Sequence, residues 1–163
     1  MRVLVYGYGN PGRQDDGLGE ALVSMLEQAQ LPDVDTDSNY QLNIEDAYTI
    51  SEYDAVVFVD ATLEDEGPFT FRAVDPALEI TFTSHAMAPE SVIALCEETG
   101  LPCPPSFILA IRGHEWEFME GLSERAKENL RLAYGFLVAL LHRGSVDALF
   151  GASEGGAVQT DIQ

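Results

Sequence analysis

The side chains of this sequence best suited to chemistry are three carboxylates and an imidazole. Asp15 and Asp16 are adjacent in the loop GYGNPGRQDDGLG, Asp60 ends the apolar run AVVFV, and His85 follows in TFTSHAM. Asp16, Asp60 and His85 together, with further positions left to solvent or substrate, make a ligand set for a borderline divalent ion such as nickel, zinc or manganese. No thiol belongs to it. Taken singly, each residue has a plainer explanation: Asp15 or Asp16 as a helix cap worth about 1 kcal/mol, Asp60 as a turn former, His85 as a capping or surface residue. One aspartate suffices as a cap, so the second needs another reason. Ser84 precedes His85, but adjacency in sequence is not the geometry of a nucleophilic triad.

Those residues form one site only if the fold gathers them. Val3 to Tyr6 is a short apolar run closed by Gly7, which predicts a strand buried on both faces. Leu18, Ala21, Leu22 and Met25 recur at helical spacing, so a helix begins near Asp15 to Gly19. Strand, glycine-punctuated loop and helix are the first half of a βαβ unit, and ligands of open α/β sheets sit outside the carboxyl ends of such strands. Ala55 to Val59 predicts a second buried strand, and its terminal Asp60 then faces the same crevice as Asp15 and Asp16. Pro32 to Asn39 reads as an irregular acidic loop, Tyr40 to Ala47 as a weaker strand, and Tyr48 to Tyr53 as a short connection or helical turn. Phe69 to Val74 alternates like an edge strand; His85 falls in a loop or at a helix start. Pro89 opens a helix that stops at Gly100, Phe107 to Ile111 is the last strand, and the period of Leu122, Ala126, Leu130, Ala133, Leu137 and Leu141 gives a long helix ended by Gly144. The expected fold is a three-layer α/β/α domain over residues 1–145. Its twisted sheet has about five mostly parallel strands and one antiparallel edge strand. Residues 146–163 are expected to be a loosely ordered tail.

Composition narrows the function. The 163 residues carry 28 acidic and 8 basic side chains, a net charge of -20. Binding to nucleic acid or an anionic membrane would lose the favourable phosphate attraction. Between Gln14 and Phe71 there are fifteen Asp or Glu and no Lys or Arg, a field suited to a cation or a basic protein segment. Cys96 and Cys103 lack metal-ligand or redox spacing and read as reduced thiols. There is neither a signal-peptide pattern nor an apolar stretch of about 18 residues, so the expected location is the cytoplasm.

Gly7, Gly9 and Gly12 also satisfy the dinucleotide fingerprint G-x-G-x-x-G, which makes a nucleotide-binding module the first alternative. Charge opposes it, since Asp15 and Asp16 occupy the helix end where a pyrophosphate would bind.

Gly7-Tyr8-Gly9-Asn10, Asp15-Asp16-Gly17-Leu18-Gly19, Val59-Asp60-Ala61 and Thr83-Ser84-His85 before a helix are similar to motifs of the hydrogenase maturation endopeptidases. These enzymes trim the C-terminal extension from the large-subunit precursor of nickel–iron hydrogenases. The resemblance runs from about Met1 to Leu141. It implies that Asp16, Asp60 and His85 contact the metal, with Gly9, Asn10, Asp15 and Gly17 shaping the turn beside them. It implies too that the nickel arrives in the precursor, other divalent cations being able to take its place, so that only a loaded substrate is cut. Asp16 would be the catalytic residue, acting as general base beside a Lewis-acidic ion. The chain departs from the family at Ala110-Ile111-Arg112-Gly113-His114, where members carry a Gly-Ile-Gln or Gly-Ile-Glu type segment, and this leaves His114 as an extra polar group, expected to be an ordinary surface histidine. A non-catalytic nickel sensor or chaperone on the same scaffold is the second alternative.

Overall fold

The structure, a computed structural model, describes residues 1–75, 82–83 and 86–154. Its main sheet contains β1 (Val3–Tyr8), β2 (Val34–Asn39), β3 (Ala55–Thr62), β4 (Phe69–Ala73) and β7 (Ser106–Arg112), with a two-residue pair, β5 (Phe82–Thr83) and β6 (Ala86–Met87), between the last two. The helices are α1 (Leu18–Ala29), α2 (Asp46–Ile50), α3 (Pro89–Glu98), α4 (Glu124–Arg143) and α5 (Val146–Ser153). Strand order is β2-β1-β3-β7-β4, every neighbouring pair parallel except β4 against β7. This is the layered α/β sheet with one antiparallel edge that the apolar runs predict.

Pleating sorts the runs into two cores. Val3, Val5, Val57, Val59, Leu109 and Ile111 pack on the side of α1, α4 and α5. Leu4, Tyr6, Val56, Phe58 and Ile108 pack on the other side, with Ile50 of α2 and Val92 and Cys96 of α3. Both cysteines are free. Among the described residues no helix is long and apolar enough to cross a membrane.

Two expectations are corrected. The acidic stretch taken for a loop contains β2, whereas Tyr40 to Ala47 is not a strand: a connection with one isolated bridge, Leu42 to Met87, leads into α2. An edge strand needs backbone pairing on one side only, so β2 keeps just Val34 and Thr36 half-buried and turns Asp35 to Arg2 and the Tyr53 hydroxyl at 3.0 and 2.8 Å. The expected loose tail begins instead with α5. Ser145 caps that helix by accepting the Ala148 amide, Leu149 is buried, and the Phe150 ring meets Phe107 edge-on at 5.0 Å.

Candidate active site

Asp16 lies in a single 3-10 turn, Gln14–Gly17, that precedes α1. Neither Asp15 nor Asp16 caps the helix, whose N-cap is Gly17 without a side-chain bond. Asp16 instead accepts the Asn10 amide at 2.8 Å, and Asn10 in turn accepts the Gly12 amide at 2.9 Å. The turn fits because two positions lack a Cβ. At Gly9, φ is +135° and a Cβ would come within 2.1 Å of the Asp16 carbonyl oxygen; at Gly19 it would come within 2.5 Å of the Val59 oxygen. The start of α1 therefore rests directly on the ends of β1 and β3, which brings Asp16 towards Asp60.

Asp60 is the sixth residue of β3, where the strand passes from full burial to half-burial. Its side chain accepts the Ala61 amide at 2.8 Å and the Tyr8 hydroxyl. Burial pushes its pKa up to about 7; the two hydrogen bonds oppose the rise and the nearby negative charge of Asp16 adds to it. Burial and the Asp60 carboxylate likewise hold the Tyr8 hydroxyl well above its ordinary range. Both residues line a cavity of about 410 Å³ with Glu64, Glu66, Arg72 and Glu90, in which Arg72 and Glu90 form an ion pair at 3.1 Å. A larger apolar groove of about 710 Å³ lies elsewhere, along Leu132, Phe136 and Ala152.

Asp15 has a different job. It is fully buried and accepts four hydrogen bonds: the amides of His114, Glu115 and Ser123 at 2.7, 2.9 and 2.8 Å, and the Ser123 hydroxyl at 2.7 Å. Burial alone would raise its pKa, but these donors outweigh it and hold the carboxylate below its usual range. Ser123 is also the N-cap of α4, accepting the Ala126 amide. One carboxylate thus ties the acidic turn to the connection between β7 and α4. Gln14 shares the task in a left-handed conformation, φ +44°, with its amide on the Met119 carbonyl and its side chain accepting the Glu117 amide. Such a backbone costs a non-glycine residue about 1 kcal/mol or more, offset here by these bonds. The sequence hinted at this network only through the unexplained second aspartate.

His85 lies outside the described residues. Among the described residues no three His, Cys, Asp or Glu side chains cluster as a metal site, so Asp16 and Asp60 would leave most of an ion's coordination to other groups. His114 is half-buried, pairs with the Asn129 amide at 3.2 Å, and burial lowers its pKa. Its backbone serves Asp15.

The nucleotide alternative loses its donors. The amides of Gly9, Asn10, Gly12, Arg13, Gln14, Asp15 and Asp16 are all bonded within the protein, so none of these loop amides is left to cradle a pyrophosphate. The fingerprint also calls for an acidic residue about twenty positions past its glycines, and β2 places Asp35 and Asp37 in that range.

This layered α/β sheet, with one antiparallel edge, is the fold of solved hydrogenase maturation endopeptidases. The Escherichia coli hydrogenase maturating endopeptidase HybD superposes with a TM-score of 0.70 at 20% identity, over 88% of this chain and 94% of that one. The nickel–iron hydrogenase maturation protease HycI of Thermococcus kodakarensis gives 0.67 at 24% identity, covering 86% and 92%. A hydrogenase 2 maturation peptidase from a Thaumarchaeota archaeon gives 0.65 at 20% identity, covering 87% and 99%. No family model and no curated protein sequence matches the chain.

Proposed function

We propose that this chain is a hydrogenase maturation endopeptidase, which removes the C-terminal extension of a nickel–iron hydrogenase large-subunit precursor once nickel has been inserted. The observation that carries the reading is the approach of Asp16 to Asp60 at the carboxyl ends of β1 and β3, on a fold shared with known maturation proteases. His85 is the third proposed ligand. In its support, Pro89 and Glu90, a few residues further along the chain, line the same cavity as Asp60.

In this reading the nickel is part of the substrate. A protein offering two carboxylates and one imidazole holds a free ion weakly, and the precursor's own ligands complete the site, so that binding reports whether the metal is present. Burial beside Asp16 keeps the Asp60 carboxyl near neutrality in its pKa, so an arriving cation replaces a proton there. Asp16 is the proposed general base, within a crevice whose negative field draws the cation in. Two free cysteines agree with action in the cytoplasm.

The test is to incubate the purified protein with nickel-loaded and with metal-free precursor and to read the product mass. The wild type should shorten only the loaded form, and Asp16→Ala, Asp60→Ala and His85→Ala should each slow cleavage by about 100-fold or more. Full processing by all three variants would end the proposal.

A further inference from the structure

Large apolar side chains stand in water on the connections that follow the parallel strands. Tyr40, Ile44, Tyr48, Leu63, Phe118 and Met119 are between 55% and 87% exposed. All six lie in connections that leave the carboxyl ends of sheet strands, or in the helical turn that follows: three after β2, one after β3 and two after β7. Among the described residues only two other large apolar side chains count as exposed, Met1 and Phe150 at 38% and 41%.

Hydrogen bonds fasten these connections around the acidic turn. The Gly9 amide bonds the Asn39 carbonyl, Gln14 the Met119 carbonyl and Asp15 the Glu115 carbonyl. The Gly113 amide bonds Thr62, and the Arg112 guanidinium donates to Leu63, which joins the loop after β3 to the loop after β7. Arg13 reaches the Trp116 carbonyl at 3.0 Å and lies 5.5 Å above the Phe118 ring. Glu45, the run Glu64-Asp65-Glu66, and Glu115, Glu117 and Glu120 stand exposed between the apolar side chains, and residues 39–50, 62–68 and 113–123 contain no Lys or Arg.

We propose that these connections form a docking face for the protein that carries the substrate segment, a folded partner presenting an apolar patch bordered by lysines and arginines. Isolated exposed apolar residues are ordinary, but Leu63, Phe118 and Met119, on connections fastened to each other and to the acidic turn, mark an interaction surface. Charge complementarity selects the occupant. A second copy of this chain, meeting through the same patch, would set the acidic rim against itself. A basic partner gains attraction on approach and releases the water held over Phe118, Met119 and Leu63. The partner's identity rests on the protease reading; the docking face does not require that cleavage occur.

The test uses nickel-loaded precursor with wild type, Leu63→Ser and the double variant Phe118→Ser with Met119→Ser. The variants should keep kcat, raise KM and the binding Kd by about tenfold or more, equivalent to about 1.4 kcal/mol, and melt as the wild type does. Raising the salt concentration should weaken wild-type binding. Wild-type KM and Kd in both variants would overturn the docking face, as would light scattering that shows a wild-type dimer broken by the double variant. Should a variant melt early, a photo-crosslinker at position 118 and another at 27, on exposed α1 surface, replace it. Crosslinks to precursor from 118 alone support the proposal; crosslinks from 27 alone, or from neither, overturn it. Precursor that crosslinks at 118 yet stays uncut by the wild type would overturn the protease reading and leave the docking face standing.

Discussion

Replacing Asp60 by asparagine should stabilise the protein at alkaline pH while abolishing its proposed activity. Burial and the charge of Asp16 hold the Asp60 carboxyl at about 7 in the folded chain, against about 3.9 in an unfolded one. Below about pH 4 both states carry the proton and nothing is lost. Between about pH 4 and pH 7 the unfolded state ionises first, so stability falls as pH rises; above about pH 7 the folded state carries the whole cost. Three pH units at 1.36 kcal/mol each set an upper bound of about 4 kcal/mol, and 2 to 4 kcal/mol is the expected range for a half-buried group. Asparagine keeps an acceptor for the Ala61 amide and the Tyr8 hydroxyl but has no proton to lose. At about 2–4 °C per kcal/mol for a chain of this length, Asp60→Asn should melt about 5–15 °C higher than wild type at pH 8. That gain should shrink towards zero near pH 4. Urea unfolding of both proteins across this pH range is the assay. A variant no more stable than wild type at pH 8, or a gap that does not change with pH, would refute the argument.

Asp15 should behave in the opposite sense. Asp15→Ala leaves three backbone amides and the Ser123 hydroxyl without their acceptor, and a loss of about 3 kcal/mol is expected in chemical denaturation. Because the folded carboxyl is held below its ordinary range, its stabilisation is present above about pH 4 and lost as pH falls further, so Asp15→Asn should flatten the acid limb of the stability curve. Gly19→Ala forces a methyl to within 2.5 Å of the Val59 carbonyl; a cost of about 1–3 kcal/mol and a displaced Asp16 should appear together in melting and processing assays. Tyr8→Phe removes a donor that steadies ionised Asp60, and NMR titration should then place the Asp60 midpoint higher than in wild type.

What could be read from the sequence followed from burial on both faces. The runs Val3 to Tyr6, Ala55 to Val59 and Phe107 to Ile111 are continuous because their strands occupy the middle of the sheet, and Asp60 is conspicuous as the carboxylate that ends one of them. The period of α4 survives along its 20 residues because one face of the helix, from Ala126 to Leu141, is buried while the other meets solvent. An edge strand such as β2 owes its conformation to pairing with β1, a partner that composition does not disclose, and its acidic side chains mimic a loop. Leu42 and Ala47 are buried under α3 and β6, so their apolar character imitated a strand where the backbone turns. The bond between Asp15 and Ser123 joins residues 108 positions apart, and only the folded chain reveals it. The short α5 was legible in principle from the cap at Ser145 and from Leu149, but eight residues carry little periodicity.

The proposed site shares one ion among side chains from separate connections of the sheet. Anomalous diffraction from crystals grown with a divalent cation, collected at the metal edge, tests this directly. The predicted result is a single peak within bonding distance of Asp16, Asp60 and His85, absent in Asp60→Ala. Peaks at unrelated positions, or a peak touching Asp16 while Asp60 and His85 point elsewhere, would contradict it.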